Sequence, residues 1–433
     1  MWATLLIAAR NLVQHRRRSL LLGGALAAVT ALLLLLGAIA TGARAAMLQS
    51  ATTLLTGHVN VGGFYKPRAG AASPVLGRAP EVLAEVRRLV PELTFAAERG
   101  RGFGKAISDR AALDVVLAGV DVSAETSFGR RLQMVTGDAA GLAHPGTLLL
   151  FEDQARRLGV GVGDAVTLSA QTPRGVRNTV DLRVVAVARS AGALSSFVAF
   201  LPGEDLRRLQ QLGPGTTGAL HLFLRDPAEA PAVAARLRAG LARVGWPLVD
   251  ADPQPYWQKL EGLEAEPWTG QRLDVSTWED ELSFLGWVFS ALRGLTGVLG
   301  VVLMGIVVVG ITNTLWIAIR ERTREIGTLR AIGMGRGQVL RLFLAEAALL
   351  ALAGAAAGAL AAAGLAAGLD RLQLPLPDAL QILLVERHLA LAVEPLAALR
   401  GAAVVVAVTT LAALYPALRA ARLSPVSAMQ HLG

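Results

Sequence analysis

Four stretches without a charged side chain constrain this chain more strongly than any other feature. They contain between 18 and 26 residues and cover positions 20–41, 294–319, 347–369 and 401–418. A helix of about 20 apolar residues is about 30 Å long, which matches the hydrocarbon core of a bilayer. Buried helices of a soluble core are rarely this long, so the sequence predicts four transmembrane helices. The first stretch could be a cleaved signal peptide, since Ala43-Arg44-Ala45 resembles a cleavage site, but it follows a 19-residue polar leader and is longer than the usual apolar region of a signal peptide, so we interpret it as an uncleaved anchor.

The distribution of charge predicts an orientation in the membrane. The formal net charge of +9 fits either a nucleic-acid-binding surface or the basic loops of a membrane protein. Positions 43–283 contain 26 basic and 26 acidic residues, whereas the segments 1–19, 320–341 and 419–433 together contain 12 basic and 2 acidic residues. By the positive-inside rule these three segments are cytoplasmic, and no nucleic-acid partner is needed to explain the charge.

The predicted fold class is a membrane α-helical protein with four transmembrane helices and a large mixed α/β extracytoplasmic domain. The predicted order is an amphipathic cytoplasmic helix at 1–19, a first span at 20–42, the extracytoplasmic domain at 43–267, a stalk helix at 268–293, a second span at 294–319, a cytoplasmic loop at 320–338, a third span at 339–369, an extracytoplasmic loop at 370–400, a fourth span at 401–418 and a cytoplasmic tail at 419–433.

Periodicity within the large domain indicates both strands and helices. Apolar and polar side chains alternate at 112–120, 165–170 and 180–187, and these runs are rich in β-branched residues. The pattern predicts three strands. Residues 82–90 and 228–244 have helical spacing with arginine on the outer face. The glycine-rich run at 159–164 precedes a strand, whereas a phosphate-binding loop follows one and opens a helix, so we interpret this run as a turn.

Three tryptophans mark the segment that leads into the second span. Trp268, Trp278 and Trp287 occur where the chain reads as an amphipathic helix, and tryptophan is enriched at membrane–water interfaces. We therefore predict a transmission stalk. Ordinary packing against the domain explains Trp268 and Trp278 equally well.

The third span carries two further signals. Gly354 with Gly358 and Gly364 with Gly368 form small-xxx-small patterns, which allow another helix to approach closely. Glu346 is the one acid near a span, and an intramembrane carboxylate is a candidate for function such as a proton relay. Structural anchoring near the cytoplasmic end of the span, by snorkelling or by pairing with Arg341 one turn earlier, is the simpler explanation, and we favour it.

The sequence lacks the usual signatures of an enzyme. It has no cysteine, no H-E-x-x-H pair, no G-x-S-x-G elbow and no G-x-x-x-x-G-K-[ST] phosphate loop. We therefore predict no catalytic residue, no metal site and no cofactor held by this chain.

The cytoplasmic loop resembles the FtsX-like permease signature. Residues 321–333 contain E-R-x-x-E-I-G-x-L-R-A-x-G, an asparagine precedes them at 313, and an F-x-x-E-A element follows at 343–347. Residues 415–429 are similar to the Y-P-A-x-x-A ending of the same family. The stretch G-H-V-N-V at 57–61 and L-G-V-G-V-G-D at 158–164 resemble segments of lipoprotein-releasing permeases of the LolC/LolE type, so that subgroup is the nearest expected relative.

The resemblance implies the permease subunit of an ATP-binding-cassette (ABC) complex in a bacterial inner membrane. The implied partners are a separate ATPase dimer that holds ATP and Mg²⁺, a second permease copy or homologue, and a periplasmic or outer-membrane protein. The implied work is mechanotransmission that extracts lipoprotein or other lipid-linked cargo; MacB-type efflux of peptides or drugs and FtsX-like regulation of a cell-wall hydrolase are the alternatives. In the loop, Gly333 and Gly335 are expected to break the helix so that 330–334 forms a short element. The expected ATPase-coupling residues are Arg320, Glu321, Arg322, Glu325, Gly327, Leu329, Arg330, Ala331, Ile332, Gly333 and Met334.

Overall fold

The computed structural model describes residues 2–68, 71–125, 128–190, 195–372, 391 and 393–422. The described residues form two compact units. The helical unit contains residues 2–44, 288–372, 391 and 393–422, and the α/β unit contains residues 45–287. The predicted loop at 370–400 lies outside the described residues at 373–390 and 392, and the tail does so from 423 onward.

Four helices are long and apolar enough to cross a membrane, with mean hydropathy between 1.9 and 2.5 in their most apolar windows. Each covers one of the uncharged stretches, and the predicted four-helix membrane class is confirmed. They are α2 (Arg16–Leu54), α10 (Gly286–Glu321), α12 (Arg336–Leu372) and α13 (Pro395–Ala421). Two shorter helices accompany them, α1 (Trp2–Gln14) and α11 (Thr323–Ala331).

The N-terminal helix is shorter than predicted. We expected one helix over 1–19, but α1 ends at Gln14 and the arginines at 16–18 form the first turn of α2. A turn at His15 separates the two helices, although His15 N–H still donates to Asn11 and Ser19 N–H donates to His15. In α1, Ala8 is fully buried while Leu6 and Val13 are exposed.

One of the two glycine patterns in α12 mediates helix packing. A β-carbon at Gly354 would lie 2.7 Å from Leu26 Cβ, and one at Gly358 would lie 2.7 Å from Thr30 Cβ, both on α2. Gly364 and Gly368 have open space around them. The small-xxx-small prediction is therefore confirmed at 354–358, whose partner is α2, and not at 364–368.

The α/β unit is built on one mixed sheet of eleven strands, in the order β11-β1-β10-β3-β4-β9-β6-β8-β5, with β2 on β1 and β7 on β3 and β8. The pairs β4·β9 and β6·β8 are parallel and the remaining described pairs are antiparallel. The strands are β1 (Val59–Arg68), β2 (Ala71–Ser73), β3 (Leu93–Ile107), β4 (Ala112–Val120), β5 (Met134–Gly137), β6 (Thr147–Phe151), β7 (Ala165–Gln171), β8 (Arg177–Ala188), β9 (Val198–Pro202), β10 (Ala219–Leu224) and β11 (Gly270–Thr277).

Helices cover the sheet and close its hydrophobic cores. Leucine and valine side chains of β4, β6, β7 and β8 form one buried cluster in this unit, together with side chains of the helices Glu152–Leu158 and Gly203–Gln210. The helices are α3 (Ala79–Leu89), α4 (Phe128–Arg131), α5 (Glu152–Leu158), α6 (Gly203–Gln210), α7 (Ala230–Arg243), α8 (Tyr256–Ala265) and α9 (Trp278–Glu281), with short 3-10 helices at Ala139–Ala143, Pro227–Glu229 and Ser283–Leu285.

Most local predictions for this unit agree with the structure. Strand β4 has the predicted bounds, and β7 and β8 include the other two predicted strands. Helices α3 and α7 lie at the two predicted helical segments. The glycine-rich run is a turn, because Gly159 (φ +67°) ends α5 and Gly163 (φ +103°) precedes β7, and both adopt the left-handed region that glycine tolerates.

The predicted stalk helix at 268–293 is wrong over its first half. Residues 270–277 form β11, which pairs along its whole length with β1 and so satisfies its backbone groups in the sheet. Trp268 and Trp278 are buried within the α/β unit, and Trp268 Nε1 donates to Leu263 O at 3.1 Å. Only Trp287 is exposed, on the first turn of α10. The continuous helix that leads into the second span begins at Gly286.

Candidate functional site

The segment between α10 and α12 is a separate short helix followed by a tight turn. Arg322 interrupts α10, and α11 begins at the next residue. After α11, Met334 N–H donates to Leu329 O at 3.0 Å and Gly333 N–H donates to Arg330 O at 3.2 Å. Gly333 has φ +108°. These two hydrogen bonds around a left-handed glycine form a Schellman motif, which satisfies the last carbonyls of the helix.

This geometry corrects one prediction for the segment. The regular helix occupies 323–331, and 332–335 is the turn, so no separate helical element begins at Arg330. The prediction that glycine ends the helix is confirmed at Gly333. Gly335 also lies outside the helices, directly before α12, and its N–H donates to Gln338 Oε1 at 2.9 Å.

A buried ion pair anchors the start of α11 to α12. Arg322 Nη1 lies 3.1 Å from Glu346 Oε1 and 3.4 Å from Oε2, and both residues are about 5% exposed (6% and 5%). The predicted partner of Glu346, Arg341, is exposed and donates from Nε to Gly337 O of its own helix. Arg341 is five residues from Glu346 on the same helix, and neighbours on one helix face are three or four residues apart, so the prediction was wrong.

A third residue of this cluster was missed by the sequence reasoning. Asn11 Nδ2 on α1 donates a short hydrogen bond to Glu346 Oε1. Asn11 is a polar residue beside the apolar residues Leu12 and Val13 of α1. A polar residue at such a position was the one sequence signal that could have indicated a buried hydrogen bond. The cluster of Asn11, Arg322 and Glu346 therefore joins three helices of the helical unit.

Further polar contacts surround this cluster. Arg18 Nη1 on α2 lies 3.4 Å from Glu321 Oε2 at the end of α10, with both side chains partly exposed. Arg330 Nη1 on α11 donates to Ala421 O, the last residue of α13, at 3.5 Å. On α13, Arg419 lies over the ring of Trp316 at 5.0 Å. The segment at 320–334 is thus tied to every long helix of the unit.

The predicted coupling residues divide by exposure. Arg322 and Gly327 are buried, as is Ile326, which was not among the predicted residues. Leu329, Arg330 and Met334 are half-buried, and the exposed group comprises Arg320, Glu321, Glu325, Ala331, Ile332 and Gly333. Ile332 is 78% exposed, an unusual position for a large aliphatic side chain beside a turn. The tryptophans predicted for transmission belong to the α/β unit or its boundary and are not part of this cluster.

The cluster is suited to mechanical linkage. Its side chains form ion pairs and hydrogen bonds that fix the start of α11, and Ile332, in the turn at the other end of α11, is an exposed apolar side chain. Among the residues that the structure describes, no group of three or more His, Asp or Glu side chains is arranged to hold a metal ion.

Comparison with known proteins identifies the C-terminal part of the chain. Residues 297–425 match the family described as FtsX-like permease C-terminal. This range includes the cytoplasmic signature, and the predicted family is confirmed for this part of the chain. The finer likeness to lipoprotein-releasing permeases stays a prediction.

Three curated relatives share short regions with this chain. The macrolide export ATP-binding/permease protein MacB of Chromobacterium violaceum is 43% identical over 67 residues, 16% of this chain and 10% of that protein. The pyoverdine export ATP-binding/permease protein PvdT of Pseudomonas putida is 32% identical over 121 residues, 28% of this chain and 16% of that protein. The uncharacterized ABC transporter permease YknZ of Bacillus subtilis is 30% identical over 86 residues, 20% and 22% of the two chains. The matched region thus spans between a tenth and a quarter of these relatives.

Two solved structures are similar at low superposition scores. The extracellular domain of the noncanonic ABC-type transporter YknZ from Gram-positive bacteria is 14% identical, with a TM-score of 0.30 over 43% of this chain and 95% of that chain. The periplasmic region of MacB from Actinobacillus actinomycetemcomitans is 10% identical, with a TM-score of 0.29 over 55% of this chain and 97% of that chain.

Proposed function

We propose that this chain, whose residues 297–425 form an FtsX-like permease domain, is the membrane subunit of an ABC transport complex that converts ATP hydrolysis on a partner into movement outside the cytoplasm. The single observation that carries the proposal is the buried cluster of Asn11, Arg322 and Glu346 at the start of α11, the short helix that ends in the exposed turn at 332–335. A force applied to that turn reaches α1 and α12 through charged hydrogen bonds, which are stronger than neutral ones.

The docking surface is the exposed side of α11 and its turn. Ile332 supplies an exposed apolar side chain in the turn after α11, and Arg320, Arg324 and Glu325 supply exposed charges at the beginning of α11. Interface energy concentrates in a few central side chains surrounded by a polar rim, and this arrangement fits a small interface of that kind. The positive-inside distribution of charge supports a cytoplasmic position for this surface, with both termini on the same side of a bacterial inner membrane.

ATP and Mg²⁺ belong to a separate ATPase dimer in this proposal. The 433 residues contain no G-x-x-x-x-G-K-[ST] phosphate loop. Closure of the ATPase dimer would pull on α11 in two permease copies, and the long helices α2 and α10 would pass the movement along the chain into residues 45–287. A periplasmic or outer-membrane protein would receive the cargo.

The cargo we propose first is lipid-linked, on the basis of the G-H-V-N-V and L-G-V-G-V-G-D segments. The second candidate is a soluble export substrate, since the named relatives include a macrolide exporter and a pyoverdine exporter. The two candidates differ in whether an acylated peptide or a small molecule stimulates ATP hydrolysis by the assembled complex.

The test is coupled ATP hydrolysis. The full chain is reconstituted in proteoliposomes with the ABC ATPase encoded beside it, and ATP hydrolysis is measured with and without cargo. We expect Arg330→Glu and Gly333→Pro to abolish cargo-stimulated hydrolysis while Arg336→Glu, an exposed change just beyond the turn, retains it. Equal stimulation in all three variants would refute the coupling role.

A further inference from the structure

One cavity of the α/β unit is lined by both apolar and polar side chains, as ligand sites are. Its volume is about 580 Å³, within the range of about 300–1,000 Å³ that holds drug-sized ligands. One wall is a face of α2, where Leu48 and Gln49 are followed one turn later by Thr52 and Thr53. The remaining lining residues include members of β3, β10 and α4.

The floor of this cavity is aromatic. Phe223 lies between Phe95, with ring centroids 5.9 Å apart, and His58, whose ring meets it edge-on at 5.6 Å. Phe223 is 7% exposed, so its ring is fixed by packing. A rigid apolar platform of this kind binds hydrocarbon or aromatic groups with little loss of side-chain entropy.

The polar groups at the cavity favour an anion. The Arg131 guanidinium lies 5.2 Å from the centroid of the Phe223 ring and is otherwise exposed. His58 Nδ1 accepts a hydrogen bond from Leu224 N–H at 3.0 Å, which leaves Nε2 as the protonated, donating nitrogen. None of the described residues that line the cavity is an aspartate or glutamate. Arginine is therefore the one full charge among them, and it has no carboxylate partner there.

We propose that this cavity binds an amphiphile with an anionic head, its phosphate or carboxylate on Arg131 and His58 Nε2 and its apolar body on Phe95 and Phe223. The proposal goes beyond the coupling role and does not depend on an ATPase.

The experiment measures binding of dodecyl phosphate to the purified full chain in a maltoside detergent, by isothermal titration calorimetry. Arg131→Gln is compared with Arg130→Gln, which removes the neighbouring exposed arginine that does not line the cavity. Gln49→Trp fills the cavity from the α2 wall, so a loss of binding there does not depend on a charge. Thermal melting checks that each variant is folded.

We expect wild type and Arg130→Gln to bind equally, and Arg131→Gln and Gln49→Trp to bind at least about tenfold more weakly, the effect of losing one charged hydrogen bond or the cavity itself. Equal loss in both arginine variants, or undiminished binding in Arg131→Gln, would overturn the proposal. Inorganic phosphate that binds as tightly as dodecyl phosphate would also overturn it. If an anionic phospholipid in nanodiscs competes with dodecyl phosphate, the natural ligand is a bilayer lipid. If the phospholipid does not compete, the natural ligand is a diffusible amphiphile. Either result supports the site.

Discussion

Glu346 Oε1 lies 3.1 Å from Arg322 Nη1, although the two residues are 24 positions apart and belong to different helices. Both are buried, and Asn11 adds a hydrogen bond to the same carboxylate. This arrangement fixes the break between α10 and α11 to the first third of α12. A movement of α11, which ends in the exposed turn at Gly333, is therefore expected to act on α1 and α12 through this cluster.

Removing the carboxylate should destabilise the helical unit. In Glu346→Gln the charge of Arg322 stays buried without a counter-charge, which typically costs about 3–5 kcal/mol. Thermal unfolding of the detergent-solubilised chain should show a clear decrease in melting temperature, and Arg322→Gln combined with Glu346→Gln should recover part of it. Arg341→Gln is the matched control and should have little effect; a large effect there would mean that Arg341 is the true partner.

The stability of the turn after α11 should depend on glycine at position 333 but not on glycine at position 337. Gly333→Ala forces a β-carbon into the left-handed region (φ +108°), at a cost of about 1–2 kcal/mol. Gly337→Ala, in the first turn of α12 with open space around it, should be neutral or slightly stabilising. Melting temperatures of the two variants measure the difference. Identical values would contradict the Schellman turn.

The packing of α12 on α2 should distinguish the two glycine patterns. At Gly358 a β-carbon would meet Thr30 and the carbonyl of Ala27, so Gly358→Ala should destabilise the unit by about 1–3 kcal/mol, as overpacking does. Gly364→Ala has no neighbour within 4 Å and should gain helix propensity instead. Opposite signs in a chemical unfolding assay are the expected result, and destabilisation of equal size by both would refute this packing.

A buried histidine should make the stability of the α/β unit sensitive to acid. Burial, together with the charges of Arg101 and Arg99, holds the pKa of His221 well below its usual range. The unfolded chain gains a proton below about pH 6.5 while the folded chain does not, so stability falls by up to about 1.4 kcal/mol for each pH unit below that value.

The measurement for this histidine is the decrease in melting temperature between pH 7 and pH 5. His221→Leu should show a smaller decrease than wild type because its contribution to the slope is gone. His144→Leu removes an exposed histidine and should behave as wild type. A slope unchanged in His221→Leu would show that the buried histidine does not titrate as described.

Much of the fold was predictable because its signals are local. Uncharged runs of bilayer length identified the four long helices, and alternation gave the bounds of β4. The strand β11 was not predictable in this way, since its pairing partner β1 lies about 200 residues earlier and the segment is flanked by helix-forming residues. Burial of Trp268 and Trp278 depends on that same distant pairing.

The coupling site was predicted in part. The family signature gave α11 and the glycine that ends it, because both depend on neighbouring residues. The partner of Glu346 was not predictable from helical spacing, since Arg322 and Asn11 reach it only after three helices pack together.

The central claim is that the turn at Ile332 contacts an ATPase, and photocrosslinking tests it most directly. A photoreactive amino acid replaces Ile332, or replaces Val162, an exposed apolar residue of the α/β unit, as the control. Both full-length variants are co-expressed with the neighbouring ABC ATPase and irradiated in membranes. We expect a crosslink to the ATPase from position 332 and none from position 162. No crosslink from 332 in an assembled complex, or equal crosslinking from both positions, would contradict the account.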